Sequence, residues 1–427
     1  MPSSSPQLRS RAFTAAASIA SIAGLLGILN YLDIPSLLQQ RVKSRKVSPR
    51  CYSENEKPSL AAFKTLVEQT TLKETYPLAK DIQKNIPIYD CTTITPDKEN
   101  AWPWQDELYH ILVHGPGVFV LQNFFPDHTP IDTANAAYST IIATELAAHG
   151  AKGDHFATAG TNSRIWNSFS KHCLQCPSSF LDYYSNPLFA LVSEAYLGPA
   201  YRLTSQVNIV KPGGKAQVCH RDYHLGFQTA ADCARFPKTL HETTAFLTLQ
   251  GAVAHTNMPL DSGPTRFLPF SQGFGEGFMA YRRGEFNEYF LEKYVSLPLK
   301  KGDAVFFSPA LFHAAGENTT NDFSRSANLI QVSAAFGKTM ETVDSLPLVE
   351  ATFDELKAKG CGRESEAFVK AVAEGYPFPT NLDRRPPAPG GMAPESEQDV
   401  LKRALQEGWE KEEVMGVLRG MREDSMA

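Results

Sequence analysis

Between residues 202 and 336 the chain is a succession of short β-rich runs, at 203–210, 244–253, 265–268, 304–307 and 329–335, set apart by clusters of Gly, Pro, Asn and Asp. Runs that recur in this way predict a sandwich or jelly roll. The flanks read differently. A helical pattern over 106–114 leads through Gly115, Pro116 and Gly117 into Val118-Phe119-Val120-Leu121, an apolar run bounded by turn residues and hence a buried strand. Ile131, Ala134, Ala137, Ile141, Ile142 and Leu146 recur near helical spacing over 130–149, and further helices are predicted over 178–197 and beyond Glu341. Residues 384–391 read as a linker. Ser396 and Asp399 then form an N-cap box that opens one or two amphipathic helices running to Met421, with a break at Gly408. The expected fold class is α+β.

A chain of 427 residues, 42% hydrophobic and 20% charged, can bury a sizeable core and is not a disordered tail. The formal charge of -5 excludes a broadly basic nucleic-acid binder, so no nucleic-acid partner is expected. Seven cysteines, an odd number spread thinly, argue against a disulfide framework and for a reducing compartment. The net charge hides an asymmetry. Residues 1–50 carry seven Lys or Arg against Asp33 alone, a net of +6, and the rest of the chain carries -11. Within that basic leader, residues 12–32 hold no charge, and about 20 apolar residues are what a helix needs to cross a bilayer.

Three readings of 12–32 compete: a single membrane anchor, a mitochondrial targeting peptide, and a cleaved secretory signal, which fits least. The expectation taken forward is an N-terminal hydrophobic helix anchoring the protein in a membrane, with the catalytic domain in the cytosol because the positive charges cluster after the span. A mitochondrial location is the alternative. The domain plan is a leader over 1–50, a helical extension over 51–105, a catalytic domain over 106–340 and a helical C-terminal extension over 341–427.

The chemistry concentrates in Gln217-Val218-Cys219-His220-Arg221-Asp222-Tyr223-His224. On a strand, alternate side chains share a face, so His220 and Asp222 point one way and Cys219 and Arg221 the other. One imidazole and one carboxylate two residues apart can bind one metal. A third ligand from a later strand would complete the two-His, one-carboxylate set of non-haem Fe(II) oxygenases, and His241, His255 and His313 are available. His313 ends an apolar run fed by the turn Lys301-Gly302-Asp303. Arg325 heads the next β-like run, and a buried guanidinium needs an anion. Either a structural acid or a dicarboxylate cosubstrate would suit its planar fork.

In order and spacing, His220-Arg221-Asp222, the segment from Asp261 through Gly263, Pro264 and Thr265 to Pro269, Gly302-Asp303, His313 with Gly316 and Asn318, and Arg325 resemble the phytanoyl-CoA dioxygenase family of Fe(II)- and 2-oxoglutarate-dependent oxygenases. The resemblance covers residues 106–336. It implies a double-stranded β-helix, a cupin-like jelly roll, flanked by helices. It implies that His220, Asp222 and His313 ligate Fe(II), that Arg325 binds the distal carboxylate of 2-oxoglutarate, and that Gln217 and Thr265 hydrogen-bond the same cosubstrate. The reaction implied consumes O2, decarboxylates 2-oxoglutarate to succinate and CO2, and oxidises an unactivated C–H bond of a small, lipophilic or natural-product substrate. Relatives that halogenate lack the carboxylate, so Asp222 favours hydroxylation, desaturation or ring chemistry. The segment departs from the family at Phe270 and Gln272, where Gly and His are common.

Rival readings are a catalytically inactive jelly-roll binding or scaffold protein, an acyl-CoA hydroxylase of lipid catabolism, and a cupin isomerase that would not need Arg325. Other motifs have plainer readings. His224 and His255 fit supporting roles better than ligation. His172, Cys173 and Cys176 read as buried groups, since one CxxC without a second pair is weak. Trp166 has two readings, facing the substrate or packing in the core, and the core is the plainer one. Asn318-Thr319-Thr320 matches a glycosylation sequon but lies too close to His313 for a glycan.

Overall fold

The computed structural model describes residues 47–94, 98–149, 162–378 and 380–426. The chain divides into two units, 1–50 and 51–427, and the fold below is that of the second. Ten strands are present among the described residues: β1 (Asp81–Gln83), β2 (Ile86–Asp90), β3 (Val118–Gln122), β4 (Asn162–Ile165), β5 (Arg202–Val210), β6 (Thr248–Ala254), β7 (Arg266–Leu268), β8 (Ala304–Phe307), β9 (Phe312–Ala314) and β10 (Arg325–Ser333). Eight form one sheet in the order β1-β2-β3-β8-β6-β10-β5-β4, while β7 and β9 pair in a second sheet. Every neighbouring pair is antiparallel except β2 with β3. The long strand β10 runs in register with both β5 and β6 and so forms the spine of the large sheet.

Period-two alternation sorts the side chains of this sheet to two faces. Phe119, Leu121, Phe306, Ile330 and Val332 point to a helical layer and pack with Phe169, Phe180, Tyr183 and Phe189. Val118, Val120, Val305, Phe307 and Ala327 point the other way and pack with Phe267 of the second sheet and Leu311 just before β9. The apolar run at 118–121 is buried throughout because both of its faces are covered. Each fully buried Phe of this kind contributes about 1.5–3 kcal/mol by leaving water.

The helix predicted at 178–197 is two helices, Pro177–Tyr184 and Pro187–Leu197, because Asn186 caps the second and Pro187 cannot continue the first. The strand predicted at 244–253 begins only at Thr248, its first residues ending the helix Lys238–Phe246. The stretch 51–105, read as helical, also supplies β1 and β2, which extend the large sheet beyond β3. The N-cap box is present, with Asp399 answering Ser396, and the helix Glu397–Glu407 ends at Gly408 in the left-handed conformation.

The expectation of a membrane-anchored protein with its catalytic domain in the cytosol is corrected: among the described residues, no helix is long and apolar enough to cross a membrane. Residues 12–32, and with them the hydrophobic helix and the mitochondrial signal read there, lie outside the described residues.

Behind the large sheet, a buried polar network joins helices to strands. His172 contacts the Tyr138 hydroxyl and Ser179, and His255 contacts the Tyr183 hydroxyl at 2.9 Å and Asn135 at 2.7 Å. Burial pushes both imidazoles down to about 3, which keeps them neutral. A histidine whose folded pKa lies below its unfolded value takes up a proton on unfolding. Stability from this pair is therefore complete above about pH 6.5 and falls as pH drops toward 3, by about 4 kcal/mol for the two at pH 5. Denaturant midpoints at pH 7.5 and pH 5.0 are expected to differ accordingly, and His255→Gln is expected to flatten the difference.

Candidate metal centre

Between the two sheets lies a cavity of about 780 Å³, and its wall carries His220, Asp222 and His313 together. His313 sits on β9. His220 is brought to it by the backbone, its N–H donating to the His313 carbonyl at 2.9 Å and its carbonyl accepting from the His313 N–H at 3.1 Å. The Gln217 N–H donates to the Ala315 carbonyl at 3.0 Å and the Asp222 N–H to the Pro309 carbonyl at 2.9 Å. Residues 217–222 thus run antiparallel along 309–315. The predicted strand is reduced to a single bridge between His220 and His313, and the extended run ends where Tyr223 turns to φ 64°. The side chains part as the alternation predicts: His220 and Asp222 converge on His313, while Cys219 joins an apolar cluster and the Arg221 guanidinium reaches the Ser271 and Phe274 carbonyls.

The two imidazoles are oriented alike. His220 Nδ1 lies 2.8 Å from the Val218 carbonyl and His313 Nδ1 lies 2.8 Å from the Leu311 carbonyl. A carbonyl only accepts, so in each ring Nδ1 carries the hydrogen and Nε2 presents its lone pair. The Nε2 atoms stand 3.7 Å and 3.6 Å from the two Asp222 carboxylate oxygens. Burial, then the proximity of His313, lowers the His220 pKa, so this imidazole is neutral. Burial alone would raise Asp222. The adjacent His313 and His220 imidazoles and a hydrogen bond from Gln250 outweigh it and hold the carboxyl below its ordinary range. One donor atom from each of the three residues falls within 4.8 Å of the others, a set that can hold one metal ion.

Arg325, Gln217 and Thr265 line the same cavity. The Arg325 guanidinium is buried and donates to the Gly263 carbonyl, and no carboxylate pairs with it among the described residues. Its pKa is pushed down to about 10 by that burial. Gly263 has φ 73°, and a Cβ there would meet the Glu317 carbonyl at 2.3 Å, so the turn that aims this carbonyl at Arg325 requires glycine. The Gln217 side-chain oxygen accepts from the Ala315 N–H at 3.1 Å.

The remaining histidines are elsewhere employed. His224 contacts the Thr244 hydroxyl at 2.6 Å, His241 contacts the Cys233 carbonyl at 2.9 Å, and His255 belongs to the network behind the sheet. The Cys173 thiol donates to the Leu348 carbonyl, and all seven cysteines are free. Asn318 is fully buried and spends both amide hydrogens on the Val210 and Phe323 carbonyls, which leaves a glycan no access. Trp166 lines the cavity instead of the core. The family-atypical Phe270 adopts φ 68°, and the following Ser271 donates to the Leu268 carbonyl and accepts from the Phe312 N–H, so the turn is built without glycine.

Sequence reasoning missed three residues around the site. Arg221 donates to the Ser271, Gln272 and Phe274 carbonyls, tying the back of the His-x-Asp segment to the turn after β7. Gln250 and Gln331 contact Asp222 and Tyr223. The available signal was a glutamine inside each of two largely buried strands, where an unserved polar group is costly.

A sandwich of two sheets with two histidines and a carboxylate on one inner wall places the protein among folds that can carry a mononuclear metal centre. The chain belongs to the phytanoyl-CoA dioxygenase (PhyH) family, whose family model matches residues 113–327. Among solved structures it is similar to the non-heme alpha ketoglutarate dependent epimerase SnoN from nogalamycin biosynthesis, at 19% identity over 54% of this chain and 83% of that one, with a TM-score of 0.36. It is also similar to the non-heme alpha ketoglutarate dependent carbocyclase SnoK from the same biosynthesis, at 17% identity over 57% and 86% of the respective chains, with a TM-score of 0.40. No curated protein matches it in sequence.

Proposed function

We propose that the protein is a mononuclear non-haem iron oxygenase that uses 2-oxoglutarate and O2 to oxidise a C–H bond of a small, largely apolar molecule, on a double-stranded β-helix. The observation that carries this reading is the pairing, on one cavity wall, of a two-His, one-carboxylate cluster with a buried arginine that has no carboxylate partner among the described residues. The donor set, two imidazoles and a carboxylate, fits Fe(II). The uncompensated guanidinium fits a carboxylate of 2-oxoglutarate.

His220, Asp222 and His313 would hold the iron and Arg325 the far end of the cosubstrate, with Gln217 and Thr265 beside it. The bound iron and 2-oxoglutarate supply the oxidising power, through decarboxylation to succinate and CO2. The chain's own residues orient and enclose. Hydrogen bonds from both Nδ1 atoms fix the imidazole tautomers, and Phe267, Phe307, Leu299 and Ala252 give the cavity apolar walls that exclude water. Purified protein incubated aerobically with Fe(II), 2-oxoglutarate and an apolar substrate panel is expected to form succinate that stops on chelation. Iron-independent succinate formation, or none with any panel member, would count against the proposal.

A further inference from the structure

We infer that two glutamines, Gln250 and Gln331, act as a clamp that fixes how Asp222 is presented to a metal, an inference that rests on the iron-binding reading of the site. They stand directly opposite one another in the β6–β10 ladder, on the cavity face of the large sheet. Gln250 Nε2 donates to Asp222 Oδ2 at 2.6 Å. Gln331 Oε1 accepts from the Tyr223 hydroxyl at 2.5 Å. One amide therefore holds the carboxylate and its neighbour holds the next residue along.

Tyr223 needs holding. Its φ of 64° and ψ of 154° fall in a region that residues other than glycine scarcely populate, and such a conformation persists only where the surroundings impose it. The surroundings do so here. Tyr223 is buried, its carbonyl accepts from the Gly226 N–H at 2.6 Å, and the Asp222 N–H is pinned to Pro309. A Cβ on Gly226 would lie 2.1 Å from the Arg221 carbonyl, so that tight return requires glycine. The phenol bond to Gln331 is the side-chain tie that fixes the aromatic end of this bend.

The bend matters for the metal site because Asp222 is its first residue. A carboxylate free to rotate about its side-chain bonds can turn either oxygen to an ion or bind with both. With Oδ2 taken by Gln250, Oδ1 is the oxygen left beside His220 Nε2. Neither amide is explained by packing. Both strands are almost wholly buried around them, and an aliphatic side chain of similar size would suit those positions better. Gln250 Oε1 is buried with no hydrogen-bond partner among the described residues, a cost accepted for the bond its Nε2 makes. Gln250 and Gln331 are thus positioning residues that act through Asp222 and Tyr223.

The test is anaerobic titration of the full chain with Fe(II), read by calorimetry, alongside thermal unfolding of the metal-free protein. Gln250→Leu is expected to weaken Fe(II) binding by about ten- to hundredfold, the usual effect of removing a partner of a metal ligand, while metal-free unfolding stays level or moves up. Tyr223→Phe, which removes one hydroxyl and leaves the ring, and Gln331→Met are each expected to weaken binding several-fold, with the double variant no weaker than the worse single. Unchanged Fe(II) affinity in Gln250→Leu and Tyr223→Phe, against tight binding by the unaltered chain, would overturn the clamp and leave the iron reading standing. Affinity that falls only in step with unfolding temperature would also overturn it, as a plain structural role. Absence of Fe(II) binding by the unaltered chain would overturn both.

Discussion

His313→Ala is expected to lower 2-oxoglutarate-dependent succinate formation by about a thousandfold or more, equivalent to about 4 kcal/mol of barrier. The ring is buried on β9, its centroid 4.4 Å from that of His220 and 4.8 Å from that of Phe307. Alanine removes one of three donors and leaves a gap on the cavity wall that water would enter. The backbone exchange between residues 220 and 313 does not involve the side chain, so the pairing of 217–222 with 309–315 survives. The loss should therefore appear in metal content and turnover and leave far-ultraviolet dichroism unchanged. Undiminished turnover in the variant would sink the assignment of His313 as a ligand.

Arg325→Ala is expected to raise the 2-oxoglutarate concentration needed for half-maximal succinate formation by about a hundredfold, close to 3 kcal/mol, with little change in Fe(II) affinity. Removing one member of a desolvated, charge-assisted pair typically costs about 2–5 kcal/mol. The metal-free protein should lose little stability, because the guanidinium is buried with no carboxylate beside it among the described residues and its own desolvation is a burden in that state. Lysine keeps the charge and loses the planar fork, so Arg325→Lys should fall between the two. The measurement is the dependence of initial rate on 2-oxoglutarate at saturating iron. An unaltered profile in the alanine variant would mean that another group holds the cosubstrate.

Local rules carried the sequence reading a long way. The buried run at 118–121, the strand ending in Phe307 and the capping box at Ser396 follow from alternation and turn chemistry that act within a few residues. The i, i+2 spacing of His220 and Asp222 put both on one face for the same reason. The third candidate ligand was different in kind. Spacing left His241, His255 and His313 open, and the family resemblance selected His313. The structure brings His313 to the pair through the long-range ladder between 217–222 and 309–315, which no local pattern encodes.

The misses share that cause. β1 and β2 are short strands at one end of the large sheet, and their place depends on the parallel pairing of β2 with β3. The His-x-Asp segment ends in a bend because Tyr223 is held from β10, far away in sequence. Gln250 looked like one polar residue in an apolar strand until its amide met Asp222. The anchored location expected from residues 12–32 is a separate case: those residues lie outside the described ones, among which no helix is long and apolar enough to cross a membrane.

The central claim is that one cavity wall binds iron through His220, Asp222 and His313 and 2-oxoglutarate through Arg325. Anaerobic addition of Fe(II) and 2-oxoglutarate, followed by visible absorption, tests it most directly. The account predicts a weak charge-transfer band in the unaltered protein that needs both additions, is lost in His313→Ala, and in Arg325→Ala returns only at much higher 2-oxoglutarate. No band with both additions, or the same band in His313→Ala, would contradict it.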